Sequence, residues 1–282
     1  MKLGQIEWHK GIVAAIWESE GMARPIPDYN LYDVVRIADL EREPLASVAQ
    51  RLADRRSEPA TPLIPIFPKE VWACGCTYRT SAEFRDAEHG TREGFYAYVH
   101  THPRPEIFFK GTARFCVGPG QPIGIREDSA FTAPEPELAV LLGSRGRLLG
   151  YTLANDVSAW DIERENPLYL PQSKLFAGCV SLGPVIVTED EIPDPYALEM
   201  TCTIERNGEV IFSGSTSTAN LARKIEELVA YLLRANPVPA GSVLLTGTGI
   251  IVTEDCALAP GDIVRIWVPE IGELANPTAP VS

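Results

Sequence analysis

Short apolar runs recur along the chain and predict a fold built mainly of β-strands. Apolar and β-branched runs bounded by glycine, proline or polar residues are typical of buried strands. Such runs occupy residues 12–17, 71–75, 104–111, 138–142, 148–153, 185–187, 198–205, 210–212 and 243–245. The Asn207-Gly208 pair between two of these runs is typical of a tight hairpin turn.

Four segments have the spacing of helices. Residues 31–40, 45–52 and 225–233 place apolar side chains on one helical face, and residues 82–88 form a charged helical pattern. Ser81 and Asn220 are placed to cap the helices that follow them, because their side chains can accept from the free amides of a first turn. Prolines shortly after residue 233 predict the end of the last helix.

The pattern changes near residue 68. Before it come one strand-like run and two helical segments, followed by a proline-rich stretch over residues 57–68 that cannot continue a helix and is typical of a linker. We therefore predict an α+β protein with a small domain over residues 1–68 and a larger, sheet-rich domain over residues 69–282.

The runs over residues 138–142 and 148–153 flank a Gly-Ser-Arg-Gly turn and predict a β-hairpin. Glu135 and Glu137 stand two residues apart where the first strand begins. In an extended strand this spacing points both carboxylates to the same face. Two acids are therefore expected to share one patch.

A third acid is expected beside them. With the turn centred near Ser144 and Arg145, Glu135 is expected roughly opposite Asn155, with Asp156 beside it. Buried carboxylates this close need a counter-charge, since an uncompensated buried ion costs several kcal/mol. Oxygen ligands without His or Cys favour a hard divalent cation, Mg²⁺ first, with Mn²⁺ or Ca²⁺ as alternatives. The competing interpretation is an ordinary amphipathic strand with two acids on its solvent face.

Composition and charge narrow the classes of partner. The chain has 282 residues, of which 45% are hydrophobic, so it can bury a substantial core. Its formal net charge of −13 repels phosphate backbones and anionic lipid surfaces. We expect no nucleic-acid and no membrane partner. The amino-terminal residues lack the apolar core of a signal peptide, which predicts a cytoplasmic protein.

The six cysteines are scattered among apolar neighbours rather than set at a metal-binding or redox spacing. We interpret most of them as reduced core residues. Cys74 and Cys76 are separated by one residue, which is poor disulfide geometry. His100 and His102 lie in a proline-rich loop without acidic or thiol neighbours, so neither pair predicts a metal site.

Six short motifs occur along the chain: GxxY at residues 75–78, ExE at 135–137, GYTLANDVSAWDIE at 150–163, QSK at 172–174, GP at 183–184 and GT at 247–248. In content and order they resemble the fumarylacetoacetate hydrolase family over about residues 71–268. The resemblance implies a mixed β-roll fold, a homo-oligomer (dimer or tetramer), metal ligation by Glu135, Glu137 and Asp156, and Lys174 as the site lysine. The spacing argument points to the same three acids.

The departures from the family pattern bear on the reaction. Hydrolases and decarboxylases of the family carry a His where this chain has Ser81, and the hydrolases carry an Arg where it has Trp160. A closer resemblance is to dehydratases of the family that act on 2-keto-3-deoxy sugar acids. It rests on TYxxS at residues 77–81, RPExFFK at 104–110, PEPELAV at 134–140 and ENPLYLPQSK at 165–174, although Arg79 replaces an acid common there.

That resemblance implies Mg²⁺-dependent dehydration of 2-keto-3-deoxy-D-arabinonate, the same compound as 2-keto-3-deoxy-D-xylonate, to 2,5-dioxopentanoate through a metal-stabilised enolate. Chelation by the carboxylate and keto oxygens acidifies the protons on carbon 3. The reaction needs a base and an acid, for which Lys174 and Glu106 are the candidates in either order. The alternatives without a catalytic role are that Lys174 forms a salt bridge to a site carboxylate and that Glu106 is a surface acid.

Five further residues are candidates for binding the keto-acid substrate. Thr77 and Ser81 offer hydroxyls where the hydrolases have a His, and the Thr246–Gly249 turn offers backbone amides to a carboxylate. The candidates are Thr77, Tyr78, Ser81, Gly247 and Thr248. Three of them also have a purely structural interpretation: Ser81 as a helix cap, Tyr78 as a core residue and Thr248 as a turn former. Other functions left open are an acylpyruvate hydrolase or oxaloacetate decarboxylase of the same family, and a non-catalytic keto-acid-binding member.

Overall fold

The structure of the protein is a computed structural model that describes residues 1–9, 11–88 and 95–282. Within these ranges most strands belong to one mixed sheet of eleven strands. They are β1 (Lys2–Trp8), β2 (Gly11–Ser19), β3 (Met22–Ile26), β4 (Glu58–Pro59), β5 (Val71–Gly75), β6 (Glu106–Gly111), β7 (Cys116–Val117), β10 (Pro136–Leu142), β11 (Leu148–Asp156), β13 (Val180–Thr188) and β16 (Ser242–Leu245).

A second sheet holds five strands, and two short strands pair separately. The five are β8 (Ile123–Arg126), β14 (Glu199–Arg206), β15 (Glu209–Ser217), β17 (Ile263–Val268) and β18 (Gly272–Val281); the pair is β9 (Thr132–Ala133) with β12 (Ser158–Ala159). The described helices are α1 (Leu31–Glu41), α2 (Leu45–Leu52), α3 (Arg79–Glu88), α4 (Phe95–Thr101), α5 (Trp160–Glu165), α6 (Leu170–Lys174) and α7 (Ile225–Leu232).

The large sheet runs in the order β4-β3-β2-β1-β13-β11-β10-β16-β5-β6, and the smaller sheet in the order β15-β14-β17-β18-β8. Every residue of β10 is buried, as expected for a continuous apolar run at the centre of a sheet covered on both faces. The predicted α+β class is confirmed. None of the helices within the described ranges is long and apolar enough to cross a bilayer.

The amino-terminal strands extend the large sheet. Strand β1, which the sequence pattern missed, pairs antiparallel with β13 through Lys2 with Val187 and Leu3 with Ile186. Leu3 belongs to the same core cluster as Leu138 of β10. The division at residue 68 into two domains stays a prediction.

The central hairpin forms as predicted, but its register is one residue from the expected one. Pro136, rather than Glu135, pairs with Asn155, because a β-bulge interrupts the ladder between Leu141 and Leu142. The shift places Glu135 directly beside Asp156, whose backbone N–H donates to the Glu135 carbonyl at 2.9 Å. In an unbroken hairpin Glu135 would lie opposite Asn155, so the bulge brings Glu135 and Asp156 closer together.

Two predicted helix caps are wrong. Helix α3 begins at Arg79, so Ser81 lies inside its first turn, and it is 2% exposed. Helix α7 begins at Ile225 after Lys224, whereas Asn220 ends a short 3₁₀ turn. The apolar face of α7 packs into the core as predicted, and the six cysteines are free thiols.

Candidate active site and metal centre

The three predicted acids meet where β10 and β11 pair. Glu135 precedes β10, Glu137 lies in it, and Asp156 ends β11. Each offers a carboxylate oxygen, and these oxygens all lie within 4.8 Å of one another. The side chains are almost inaccessible, with Glu135 4% exposed and the other two 1% exposed. A buried cluster of this kind is not the solvent face of an amphipathic strand.

The cluster fits a hard divalent cation. Glu137 Oε1 is buried and has no hydrogen-bond partner among the described residues, so it is free to act as a ligand. Burial, followed by the charges of Asp156 and Glu135, raises the pKa of Glu137 well above its usual value. A cation among these oxygens would remove that repulsion, and an all-oxygen donor set is the one that Mg²⁺ prefers.

Lys174, the last residue of α6, faces the same cluster and is 1% exposed. Its Nζ donates to Glu135 Oε1 at 2.9 Å and to Ser158 Oγ at 2.6 Å, and it lies 3.4 Å from Asp156 Oδ2. The salt bridge considered as the ordinary interpretation is therefore present. It also places the ammonium at the acids, as expected for the site lysine that the family resemblance implies.

A second buried lysine lies here, and the sequence pattern did not assign it to the site. Lys110 is fully buried, and its Nζ lies 2.6 Å from Asp156 Oδ1. The period of a strand is the one local signal for it: regular alternation along residues 106–110 predicts that Lys110 shares a face with Glu106 and Phe108, although the strand bulges at Lys110. The Nζ of Lys174 lies 5.4 Å from the Phe108 ring centroid, which shows that this face looks toward the acids.

The turn after β16 binds one of the acids. The Gly247 N–H donates to Glu137 Oε2 at 2.6 Å, so the predicted carboxylate-binding amide holds a carboxylate of the protein itself. Thr77 Oγ1 donates to the Thr246 carbonyl at 2.7 Å. Gly247 has φ +97°, and a Cβ there would lie 1.9 Å from Thr77 Oγ1, so only glycine fits.

Tyr78 and Thr248 are buried beside this turn. Tyr78 is 2% exposed, and burial together with the charge of Glu137 raises the pKa of its phenol. It forms an isolated β-bridge with Leu221. The Thr248 hydroxyl exchanges hydrogen bonds with the Ile250 backbone at 3.2 Å, which supports the turn. Contact of either side chain with substrate stays a prediction.

Glu106 lies at the start of β6, opposite Gly75 in β5. A Cβ at Gly75 would stand 2.1 Å from Glu106 Oε2, so the glycine of the GxxY motif leaves room for this carboxylate to lie across β5. Glu106 also lines a cavity of about 330 Å³ together with Tyr96, Glu163 and Leu170. Glu106 therefore faces the cavity from the same strand that carries Lys110.

Comparison with known proteins places this arrangement in a family. Residues 71–279 match the fumarylacetoacetate (FAA) hydrolase C-terminal domain. The chain belongs to the fumarylacetoacetate hydrolase family. The predicted resemblance is thereby confirmed.

Two relatives and one solved structure are similar over most of the chain. The 2-dehydro-3-deoxy-D-arabinonate dehydratase of Saccharolobus solfataricus is 51% identical over 216 residues, covering 76% of this chain and 72% of the relative. A probable 2-keto-3-deoxyxylonate dehydratase of Haloferax volcanii is 42% identical over 254 residues, covering 86% of each. The structure of a 2-keto-3-deoxy-D-arabinonate dehydratase complexed with magnesium and 2,5-dioxopentanoate has a TM-score of 0.84 and 39% identity, covering 100% of this chain and 99% of that one.

Trp160 stands in this member of the fumarylacetoacetate hydrolase family where the hydrolase motif has Arg. Its ring is 2% exposed, and its Nε1–H donates to Glu135 Oε1 at 3.0 Å. The same oxygen accepts from Lys174, so two donors hold this carboxylate in one orientation toward the other acids. A neutral indole replaces the guanidinium without adding a charge to the cluster.

Trp160→Phe tests this orientation of Glu135. The change keeps an aromatic ring in the core and removes the N–H, so Glu135 Oε1 loses the hydrogen bond from the indole. We expect the affinity for Mg²⁺ to fall about tenfold, as is common when a partner that orients a ligand is lost. Isothermal titration with Mg²⁺ measures it, with Trp8→Phe as the control, because the Trp8 indole N–H donates to the exposed Glu58 carboxylate away from the acids. An unchanged affinity would mean that the indole serves packing only.

Proposed function

We propose that the protein is a Mg²⁺-dependent hydro-lyase that dehydrates 2-keto-3-deoxy-D-arabinonate, also called 2-keto-3-deoxy-D-xylonate, to 2,5-dioxopentanoate. The observation that carries the proposal is the buried acid triad with Lys174 against it, in a chain that matches dehydratases over most of its length. The solved relative that holds magnesium and 2,5-dioxopentanoate supports both the metal and the product.

Glu135, Glu137 and Asp156 would hold the Mg²⁺ ion. When bound, Mg²⁺ supplies a Lewis acid for the 2-keto group, which makes the protons on carbon 3 more acidic. The protein holds the three carboxylates ready through the Gly247 amide, the Trp160 indole and the buried lysines. Little reorganisation is then needed when the substrate binds.

We assign Lys174 to the removal of a proton from carbon 3 and Glu106 to the delivery of a proton to the hydroxyl on carbon 4. The bonds broken are C3–H and C4–O, and the hydroxyl leaves as water. Transfer of a proton from carbon 5 to carbon 3 then gives an enol between carbons 4 and 5. Tautomerisation of this enol, in which the hydroxyl on carbon 5 loses its proton and carbon 4 gains one, gives the aldehyde of 2,5-dioxopentanoate. The reversed assignment of the two residues is the alternative. Lys174 lies at the acids, whereas Glu106 adjoins the cavity through which substrate would enter.

We assign substrate binding to Thr77, Tyr78, Ser81, Gly247 and Thr248. Ser81 carries the clearest test, because its small buried hydroxyl replaces the hydrolase His. For Ser81→Ala we expect kcat/KM to fall about tenfold, the cost of one hydrogen bond to the substrate. Steady-state kinetics measure this, with the exposed Ser213→Ala as control. An unchanged kcat/KM would remove Ser81 from the substrate site.

A coupled assay tests the function as a whole. Purified protein is given 2-keto-3-deoxy-D-arabinonate with and without Mg²⁺, and 2,5-dioxopentanoate is followed through an NAD⁺-dependent aldehyde dehydrogenase. We expect formation of the aldehyde that requires Mg²⁺. Release of pyruvate or CO₂ from acylpyruvates or oxaloacetate, without aldehyde formation, would instead favour a hydrolase or decarboxylase. Binding of the keto acid without turnover of any of these compounds would indicate a non-catalytic member.

We further propose that the protein is a cytoplasmic homo-oligomer, either a dimer or a tetramer. Family resemblance supports an oligomer, and Val210 and Trp267 of the five-stranded sheet are apolar side chains that are 57% and 44% exposed. Light scattering coupled to gel filtration gives the number of subunits. A monomer at micromolar concentration would contradict this part of the proposal.

A further inference from the structure

The ammonium group of Lys110 contacts both the acid cluster and the helix that carries Lys174. Its Nζ lies 2.6 Å from Asp156 Oδ1 and donates to two backbone carbonyls, that of Val157 at 2.8 Å and that of Lys174 at 2.6 Å. The ammonium therefore makes two hydrogen bonds to backbone carbonyls and one ion pair with a carboxylate. The metal-binding acid and the site lysine are thus linked through one buried charge.

The backbone of β6 is shaped to place this side chain. Val71 pairs with Gly111 and Trp72 with Phe109, so Lys110 is the extra residue of a β-bulge. A bulge bends its strand and changes the direction of a side chain, and bulges are frequent next to active sites. Gly111, with φ +139°, supplies the backbone conformation that follows the bulge.

The contact with the Lys174 carbonyl stabilises a short helix. Helix α6 has five residues and ends at Lys174, where the last carbonyls have no partner inside the helix. A lysine ammonium is a favourable donor at this end, both as a hydrogen bond and toward the helix dipole. Lys110 thereby ties β6 to the end of α6, the helix that carries the Nζ of Lys174 to Glu135.

The sum of the charges buried at the site also indicates that Lys110 contributes to it. With both lysines in the ammonium form, three carboxylates face two positive charges, which leaves one negative charge. A divalent cation and the single negative charge of a keto-acid substrate then bring the total to zero. When Lys174 is neutral and ready to accept a proton, one negative charge remains. A neutral side chain in place of Lys110 would therefore leave one further negative charge buried in either state of Lys174.

We propose that Lys110 is a positioning residue, which sets the location of Lys174 through its carbonyl while holding one oxygen of Asp156. The inference rests on the proposed dehydratase function. Lys110 itself does not need to touch the substrate. Its effect on turnover passes through Lys174, and this dependence separates it from a residue that only stabilises the fold.

The test is Lys110→Met, with the exposed Lys224→Met as the matched control. We expect kcat to fall about 100-fold, the usual cost of misplacing a reacting group by about 1 Å. KM should change less than about threefold, because the groups assigned to substrate binding are untouched. The dissociation constant of Mn²⁺, measured by electron paramagnetic resonance of the free ion, should equal or fall below that of the wild type, because the removed charge repels the cation.

Two further measurements complete the test: Lys110→Met combined with Lys174→Met, and the single variant Lys110→Arg. In Lys174→Met protein, adding Lys110→Met should lower kcat by less than about threefold, because the residue through which it acts is gone. Lys110→Arg keeps the charge and the donors but is larger, so we expect a folded protein that binds Mn²⁺ and has kcat about tenfold lower. This variant provides the measurement if the methionine variant does not fold.

A wild-type kcat in folded Lys110→Met protein or in Lys110→Arg would overturn the inference. So would a finding that Lys110→Met lowers kcat by the same factor in the wild-type protein and in Lys174→Met. Mn²⁺ binding lost together with near-ultraviolet circular dichroism in both variants would also overturn it, by showing a purely structural role. Failure of the proposed function is distinguishable, because the wild-type protein would then not convert 2-keto-3-deoxy-D-arabinonate at all.

Discussion

Glu137→Gln is expected to lower kcat/KM for 2-keto-3-deoxy-D-arabinonate by about 10³-fold or more. The substitution keeps the shape of the side chain, and the amide oxygen can still accept from the Gly247 N–H. It removes the negative charge and one ligand oxygen of the triad. Loss of a catalytic metal forfeits several kcal/mol of transition-state stabilisation, and about 4 kcal/mol corresponds to this factor.

The same variant should be at least as stable as the wild type without metal. The pKa of Glu137 is raised in the fold, so its ionised form opposes folding at every pH above the ordinary carboxyl pKa. A neutral glutamine removes this cost, and at pH 7 to 8 we expect an equal or higher Tm in the presence of a chelator. Mg²⁺ should raise the Tm of the wild type and leave that of the variant unchanged.

Steady-state kinetics and thermal unfolding with and without Mg²⁺ measure these effects. Glu209→Gln, at an exposed position of β15, is the control for loss of one carboxylate. A Glu137→Gln protein with activity within tenfold of the wild type would exclude Glu137 as a ligand. A lower Tm without metal would show that the carboxylate stabilises the fold rather than opposing it.

Lys174→Met is expected to lower kcat by about 10²–10⁴-fold, the range for loss of a general acid or base. Glu135 Oε1 keeps its hydrogen bond from the Trp160 indole, so the triad should still bind Mn²⁺. The two variants therefore distinguish metal binding from proton transfer. Glu137→Gln is expected to lose both metal binding and turnover, whereas Lys174→Met is expected to lose turnover alone.

The control for this variant is again Lys224→Met, which removes an exposed ammonium of the same size. The measurements are kcat, KM and the affinity for Mn²⁺. Activity of Lys174→Met within tenfold of the wild type would mean that the residue is only a salt-bridge partner of Glu135. In that case Glu106 would remain the candidate for the base.

The sequence by itself determined the chemistry of the centre. The spacing of Glu135 and Glu137 depends only on the alternation of a strand, and that alternation is kept in the folded protein. The approach of Asp156 depends on hairpin pairing, which is also local along the chain. The family motifs added Lys174, and Ser81 and Trp160, in place of the hydrolase His and Arg, favour a dehydratase.

Only the tertiary structure decided how these groups are held. The β-bulge at Leu141 and Leu142 moves the hairpin register by one residue, and a bulge leaves no clear signal in an apolar run. Ser81 is a buried residue of α3 rather than its cap, because the helix begins at Arg79. The pairing of β1 with β13 joins positions 2 and 187, which short-range patterns cannot connect.

Lys110 shows the physical reason most clearly. Strand alternation places it on the face of Glu106 and Phe108, but nothing in its sequence neighbours shows whether that face is buried at the acids or exposed to solvent. It is a site residue only because its ammonium meets Asp156, Val157 and Lys174, which come from segments distant in the chain. A residue's type and its face of a strand are local properties and can be inferred from sequence. The partner that neutralises its charge is set by long-range packing, which no local pattern encodes.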